Sequence, residues 1–454
     1  MVYTFLKKII TASLVVFYRS IVVEGKENIP RKGPLIIAAN HPNTFMDPLL
    51  IAAFVKQRVG FLANGGIFRN KIMAAVLNYL HVIPIYRKKD LKPGEAANNQ
   101  KFFNKTVVYL NGNGTFMIFP EGSSFYEYKL REIKTGTARI AFQFQKENQF
   151  AKGLKIMTVA LNYSDAIKFR SKVMLTYNKP IEIDGYKSLY EEDPEKAVRV
   201  VTAKIEEELV EQLVIADTPE RETLLRRIQK IYADYWIGDK RFKSKNKVEM
   251  EIRIALSKAI AYFSDHLPKE YSEIEQKVNA YYEKADSVRV TQNLISDAYV
   301  GSSAHFIFIQ YIFGLLLGLP FFLMGFLTHF VPVSISQYLS NIPKDIEYRA
   351  PILMGVATLL IPFFYFLEIY YFDIVFRNTL YTILFGISLP ICGAFVWFYR
   401  TMFIRFKKLN TFLRIKRNYP DYVEKLKKER KDILDTLEKA RQTYSAQRKK
   451  QEHE

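Results

Sequence analysis

Leu35-Ile36-Ile37-Ala38-Ala39-Asn40-His41-Pro42-Asn43-Thr44-Phe45-Met46-Asp47-Pro48 passes without a break from an apolar run into polar and ring side chains. The leading Leu35 to Ala39 is continuous and apolar, the pattern of a strand buried on both faces. A rigid strand that ends at an imidazole and a carboxylate is a way to deliver a base to a cleft. A His tuned near neutrality takes a proton from a hydroxyl, and a neighbouring Asp fixes its tautomer and stabilises the imidazolium. The same residues have a second reading. Asp47-Pro48, followed by Leu49, Leu50, Ile51, Ala52 and Ala53, is a helix start with Asp47 as cap and Pro48 in the first turn. Residues six apart on a helix lie about 120° apart around its axis, so His41 and Asp47 meet only if His-Pro-Asn forms a turn. Both readings of Asp47 stand on this segment.

Two further strand ends carry polar groups. Thr115-Phe116-Met117-Ile118-Phe119 reads as a buried strand and runs into Pro120-Glu121-Gly122-Ser123-Ser124, a turn with a carboxylate, exposed backbone N–H groups and two hydroxyls. Val82-Ile83-Pro84-Ile85-Tyr86 is another strand, closed by Arg87, whose planar fork suits phosphate. Each motif is weak alone. Three strand-end polar motifs in one stretch of about 90 residues are not a chance grouping.

In these motifs the chain resembles the glycerolipid acyltransferases, which include the glycerol-3-phosphate and 1-acylglycerol-3-phosphate (lysophosphatidate) acyltransferases. The resemblance runs from about Val22 to Asp184, through Val23 to Pro30, Asn40-His41-Pro42, Ile83 to Arg87, Phe119 to Gly122 and Val159-Ala160-Leu161-Asn162-Tyr163. It implies an α/β acyltransferase domain with a mixed sheet flanked by helices. It implies that His41 is the base that deprotonates the acceptor hydroxyl for attack on an acyl thioester, and that Asp47 orients it. Asn43, Arg87, Glu121, Gly122 and Ser123 inherit a part in holding the acceptor, and Lys134 with Gly136 looks like the Lys-x-Gly that follows the third block.

The chain departs from the usual pattern in places. It sets five residues between His41 and Asp47 where most members have four, a spacing associated with the branch of fungal-type glycerol-3-phosphate acyltransferases and their bacterial relatives. Ser123-Ser124-Phe125 stands where Thr-Arg-Ser is common, which removes one phosphate ligand and leaves Lys134 or Arg131 to replace it. Ala160 stands for a common Pro, and His81 for the usual Gly; His81 reads as a lining residue rather than a second base.

No residue has the setting of a covalent nucleophile. Cys392 is the only cysteine and lies in an apolar run, and Ser123 lacks a Gly-x-Ser-x-Gly elbow. Direct transfer without an acyl-enzyme follows. With one Cys and six scattered His there is no zinc spacing and no disulfide framework. The expected site holds no metal and no cofactor, with acyl-CoA or acyl carrier protein as co-substrate.

At 454 residues, with 49% hydrophobic and 15% aromatic side chains, the chain is long enough for two or three domains and rich in lipid-facing residues. His305 to Val331 contains no Lys, Arg, Asp or Glu, Pro351 to Tyr371 contains only Glu368, and Asn378 to Tyr399 contains none. Each run approaches or exceeds the ~20 residues that span hydrocarbon as a helix. From Ile404 to Lys450, 16 Lys and Arg face 6 Asp and Glu, so half of the net +20 sits in the tail. The positive-inside rule puts such a tail in the cytoplasm, where the acyl donors are. Three straight spans cannot keep the tail and the catalytic domain on one side, so the expectation is two to four spans, with a re-entrant run or a bend at Gly318-Leu319-Pro320.

The expected organisation is an amino-terminal interfacial or anchoring helix (1–21), the acyltransferase domain (22–185), a charged helical region (186–300), a polytopic α-helical membrane domain (301–403) and a basic cytoplasmic tail helix (404–454). The expected protein is integral to the cell inner membrane or endoplasmic reticulum, with the catalytic domain on the cytoplasmic side. Its acceptor is glycerol-3-phosphate or lysophosphatidate, the alternative being another lipid such as a lysophospholipid or aminolipid. Membrane lipids are expected partners. Nucleic acid is not, because the basic tail alternates with acids and brings no base-stacking module.

Overall fold

The structure, a computed structural model, describes residues 2–64, 74–75, 82–85, 99–238, 245–288, 292–295 and 303–451. It divides into two compact units, Met1–Ile215 with Pro343–Met354, and Ala216–Ile342 with Gly355–Glu454.

The first unit is built on one sheet. Its strands are β1 (Ser20–Glu24), β2 (Leu35–Ala39), β3 (Val59–Asn64), β4 (Val82–Ile85), β5 (Thr115–Ile118), β6 (Lys155–Tyr163), β7 (Lys172–Tyr177) and β8 (Ile181–Glu182). They lie in the order β1-β7-β6-β2-β5-β3-β4, with β8 beside β6. The central neighbours β6, β2, β5, β3 and β4 run parallel, while β7 and β8 pair with β6 antiparallel. The sheet is therefore mixed, and helices cover both faces. Alternation along β2 divides its side chains. Ile36 and Ala38 face α4 (Gly136–Glu147) and α6 (Pro194–Gln212), while Leu35, Ile37 and Ala39 face α1 (Val2–Phe17) and α2 (Met46–Phe54). Helices α3 (Asn99–Asn111) and α5 (Lys187–Glu192) complete this unit's described helices, apart from the first residues of a later helix described below. Helix α1 buries Leu14 and Phe17 in the core and leaves Val2, Phe5, Ile9, Val15 and Val16 exposed.

The second unit is helical. It contains α7 (Pro219–Gly238), α8 (Lys245–His266), α9 (Pro268–Ser287), α10 (Gln292–Ile295), α11 (Ser303–Ser340), most of α12 (Arg349–Phe376), α13 (Thr379–Asn418) and α14 (Pro420–Gln451). Three segments, Ala304–Ser340, Ile346–Phe376 and Thr379–Asn418, are long and apolar enough to cross a membrane. The bend expected at Gly318-Leu319-Pro320 does not form, and α11 continues through both Pro320 and Pro332. A proline deletes one backbone donor and strains one turn, and neighbouring turns can close around that gap in an apolar helix.

Helices α11 and α13 pack antiparallel. Phe308 stacks on Phe406 at 5.0 Å and Phe322 on Tyr399 at 4.4 Å, while the Tyr399 hydroxyl donates to the Leu315 carbonyl at 3.1 Å. Further along, Gly325 of α11 lies against the Cys392 backbone of α13 with no room for a methyl group. Small residues let apolar helices approach closely where water supplies no driving force. Gly325→Ala should lower stability by about 1–3 kcal/mol through overpacking, read as an earlier thermal transition in detergent. Gly355→Ala, at a helical glycine with open space around it, should leave the transition in place.

Candidate functional site

Register brings the motifs together. Ala38 of β2 pairs with Ile118 of β5, so His41 and Glu121, each three residues further on, leave the sheet side by side. Ala39 pairs with Val159 of β6, which sends Tyr163 out on the other flank of the same turn. All three emerge at the carboxyl ends of parallel strands, where open α/β sheets bind ligands.

His41 Nδ1 lies 2.9 Å from Asp47 Oδ2, and Asp47 is wholly buried. The same oxygen accepts the Asn43 N–H at 2.7 Å, and Oδ1 accepts the Tyr163 hydroxyl at 2.5 Å. A buried carboxylate is tolerated only with such a complement of donors. Burial and the charge of Asp47 hold the Tyr163 phenol well above its usual range, so it stays a donor. With Nδ1 committed to Asp47, Nε2 is the imidazole's basic nitrogen. Phe119 stacks flat on the ring, 3.8 Å between centroids and 10° between planes, covering one face.

Asp47 lies in the first turn of α2, behind an N-cap residue, Phe45, that makes no side-chain cap bond. The N–H it accepts belongs to Asn43, which precedes the helix, so Asp47 is not the cap that its place before Pro48 suggested, and its carboxylate is instead turned to His41.

Glu121 has both oxygens on backbone amides, that of His41 at 2.8 Å and that of Arg131 at 3.1 Å. Burial pushes its carboxyl above the usual carboxylate range, against the pull of these donors. The carboxylate thereby ties the His41 turn to the loop after β5. Gly122 has φ +74°, and a Cβ there would meet Lys134 Nζ. The Lys134 ammonium thus lies over the Gly122 turn, while the Lys134 backbone N–H donates to the Pro120 carbonyl at 3.0 Å. Of the two cations left to replace the missing arginine, Arg131 is engaged by Glu127 at 2.9 Å and by the Phe125 ring. Lys134 is exposed and has no ion pair among the described residues.

Asn43 is fully buried, and its amide donates to the Ala166 carbonyl at 2.5 Å. Ser123 is half-buried beside Gly122. Arg87 and His81 lie outside the described residues.

Tyr163, Phe119, Ser124 and Thr44 stand within the sequence motifs, but sequence reasoning gave none of them a role of its own. The Ser124 hydroxyl accepts the Thr44 N–H at 2.8 Å, and Thr44 closes the turn with φ +30°, a region that a β-branched residue rarely enters. Tyr163 could have been found from strand register, because it ends the strand next to the one that carries His41.

The family model described as Acyltransferase matches residues 20–162. Glycerol-3-phosphate O-acyltransferase 2 of Saccharomyces cerevisiae is 31% identical over 137 residues, covering 30% of this chain and 18% of that protein. Glycerol-3-phosphate O-acyltransferase 1 of the same yeast is 21% identical over 250 residues, covering 37% of this chain and 33% of its own. The chain thus spans a third or less of the length of these two enzymes. The crystal structure of the 1-acyl-sn-glycerophosphate acyltransferase PlsC from Thermotoga maritima aligns with 45% of this chain and 80% of its own, at 25% identity and a TM-score of 0.33. The family match makes residues 20–162 an acyltransferase domain, and the three sequence motifs at His41, Arg87 and Glu121 all fall within it.

Proposed function

We propose that the chain moves a fatty acyl group from a thioester, acyl-CoA or acyl carrier protein, to the hydroxyl of glycerol-3-phosphate or 1-acylglycerol-3-phosphate. The observation that carries this reading is the 2.9 Å pair of His41 with buried Asp47 at the sheet edge. His41 Nε2 takes the acceptor's hydroxyl proton as its oxygen attacks the thioester carbonyl. The tetrahedral oxyanion collapses, the C–S bond breaks, and the departing thiolate takes the proton back from the imidazolium. Asp47 holds the ring in one tautomer and offsets the transient positive charge. The Gly122 turn and the Lys134 ammonium are the groups placed to hold the acceptor's phosphate and glycerol. Asn43 and Glu121, both committed internally, act by positioning the base.

A second reading, another lipid acceptor such as a lysophospholipid or aminolipid, is favoured by the third turn. That turn carries no arginine, and the Ser124 hydroxyl is already used by Thr44.

For sidedness, the first unit gives a constraint. The Thr44 hydroxyl donates to the Glu347 carbonyl at 2.9 Å, so residue 347 lies on the face of the membrane that holds the catalytic domain. From there α12 and α13 cross out and back. The basic tail returns to the catalytic side, which its charge marks as cytoplasmic.

The reaction is checked with purified protein in liposomes, labelled palmitoyl-CoA, and glycerol-3-phosphate, lysophosphatidate or lysophospholipids as acceptors. His41→Ala should reduce turnover by about 10²- to 10⁴-fold, and Tyr163→Phe by a smaller factor, with KM little changed in both. Turnover with lysophospholipids alone would select the second reading, and an undiminished His41→Ala would sink both. For the topology, single cysteines at Lys344 and Arg377 in a Cys392→Ala background should react with an impermeant maleimide from opposite faces of sealed vesicles. Labelling from the same face would refute the out-and-back arrangement.

A further inference from the structure

The segment Pro343–Met354, which joins α11 to α12 and includes the first residues of α12, belongs to the acyltransferase unit and not to the helical one. Ala350 is fully buried and Met354 is 7% exposed, in the same core as Met46, Leu50, Ile51, Leu35 and Ile37. Beside them the Tyr348 ring lies 6.4 Å from that of Phe45. At the centre of the contact, Thr44 Oγ1 donates to the Glu347 carbonyl.

Thr44 and Phe45 are interior to the His41–Asp47 turn. Thr44 is the residue whose backbone enters the left-handed region to close the five-residue spacing, a conformation that costs of order 1–3 kcal/mol unless its surroundings over-determine it. Two bonds hold it there. Its N–H is fixed by Ser124 from the third motif, and its hydroxyl by a carbonyl some 300 residues along the chain. Asn43, its neighbour, presents its N–H to Asp47, so a change in the path of Thr44 reaches the carboxylate that orients His41.

We propose that Thr44 and the Glu347–Tyr348 segment are positioning elements of the acyltransferase site, which keep the His41–Asp47 turn in working geometry only while the start of α12 is docked against it. The proposal deepens the acyltransferase reading and rests on it for its kinetic arm. It couples catalysis to the placement of an apolar helix, so that the base is fully formed where that helix is seated in its membrane.

The test uses the full-length protein in liposomes. Thr44→Val removes the hydroxyl at nearly constant shape and should lower kcat by about 10- to 100-fold, the scale of an ångström-level misplacement, with KM within about twofold. Thr44→Ser restores the donor and should recover most of kcat. Tyr348→Ala should act in the same direction as Thr44→Val. Amide hydrogen exchange supplies a readout that needs no activity: residues 40–47 should exchange faster in Thr44→Val and Tyr348→Ala, but not in Thr44→Ser, while β6 and α6 keep their protection. Should the unmodified protein transfer no acyl group, the chemistry assigned above fails, and the exchange pattern alone decides the docking. Unaltered exchange at 40–47 in Thr44→Val, or equal kcat losses in Thr44→Ser and Thr44→Val, would overturn the proposal.

Discussion

The buried carboxylate of Asp47 is the constraint on which the rest of the site depends. An anion with no solvent contact is costly unless every available lone pair finds a donor, and here three donors converge from three places. The imidazole comes from the end of β2, the backbone N–H from the turn before α2, and the phenol from the end of β6. None of them can move without leaving charge unpaired in the core. The network that satisfies Asp47 therefore also fixes His41, and stability and the geometry proposed for catalysis are set by the same bonds.

A second carboxylate fixes the other side of the turn by a different route. Glu121 binds the backbone amides of His41 and Arg131, so it acts on the path of the chain and not on the imidazole. The family resemblance assigned Glu121 to acceptor binding, and the structure gives its oxygens an internal task. The groups left facing outward near that turn are Gly122 and the Lys134 ammonium. A glycine at φ +74° under an ammonium is the feature on which the proposed phosphate contact rests.

The sheet was largely legible. Leu35 to Ala39 and Thr115 to Ile118 were readable because parallel strands buried on both faces are continuous apolar runs, and the helices from Pro194, Pro219 and Pro420 start where proline and polar residues mark them. The site was legible in its motifs but not in its wiring. Periodicity and spacing report what a residue is near in sequence. The bonds of Asp47 to Tyr163, of Glu121 to the His41 amide and of Thr44 to Glu347 join residues 80 or more positions apart. The choice between Arg131 and Lys134 was open for a different reason: Glu127 and Phe125 lie within six residues of Arg131, but spacing alone does not show that they engage it.

The proposed acyl transfer would join a water-soluble donor or acceptor to a product that must enter a bilayer, and the first unit carries exposed apolar surface suited to such a boundary. Helix α1 anchors to the core through Leu14 and Phe17 and turns Val2, Phe5, Ile9, Val15 and Val16 outward, the arrangement of a helix that lies in an interface. The start of α12 supplies Ala350 and Met354 to the core beneath the catalytic turn. Two apolar helices far apart in sequence therefore pack on the face of the sheet that carries α2. Under the proposed function this shared packing beneath Met46 would link the geometry of the site to the seating of both apolar segments.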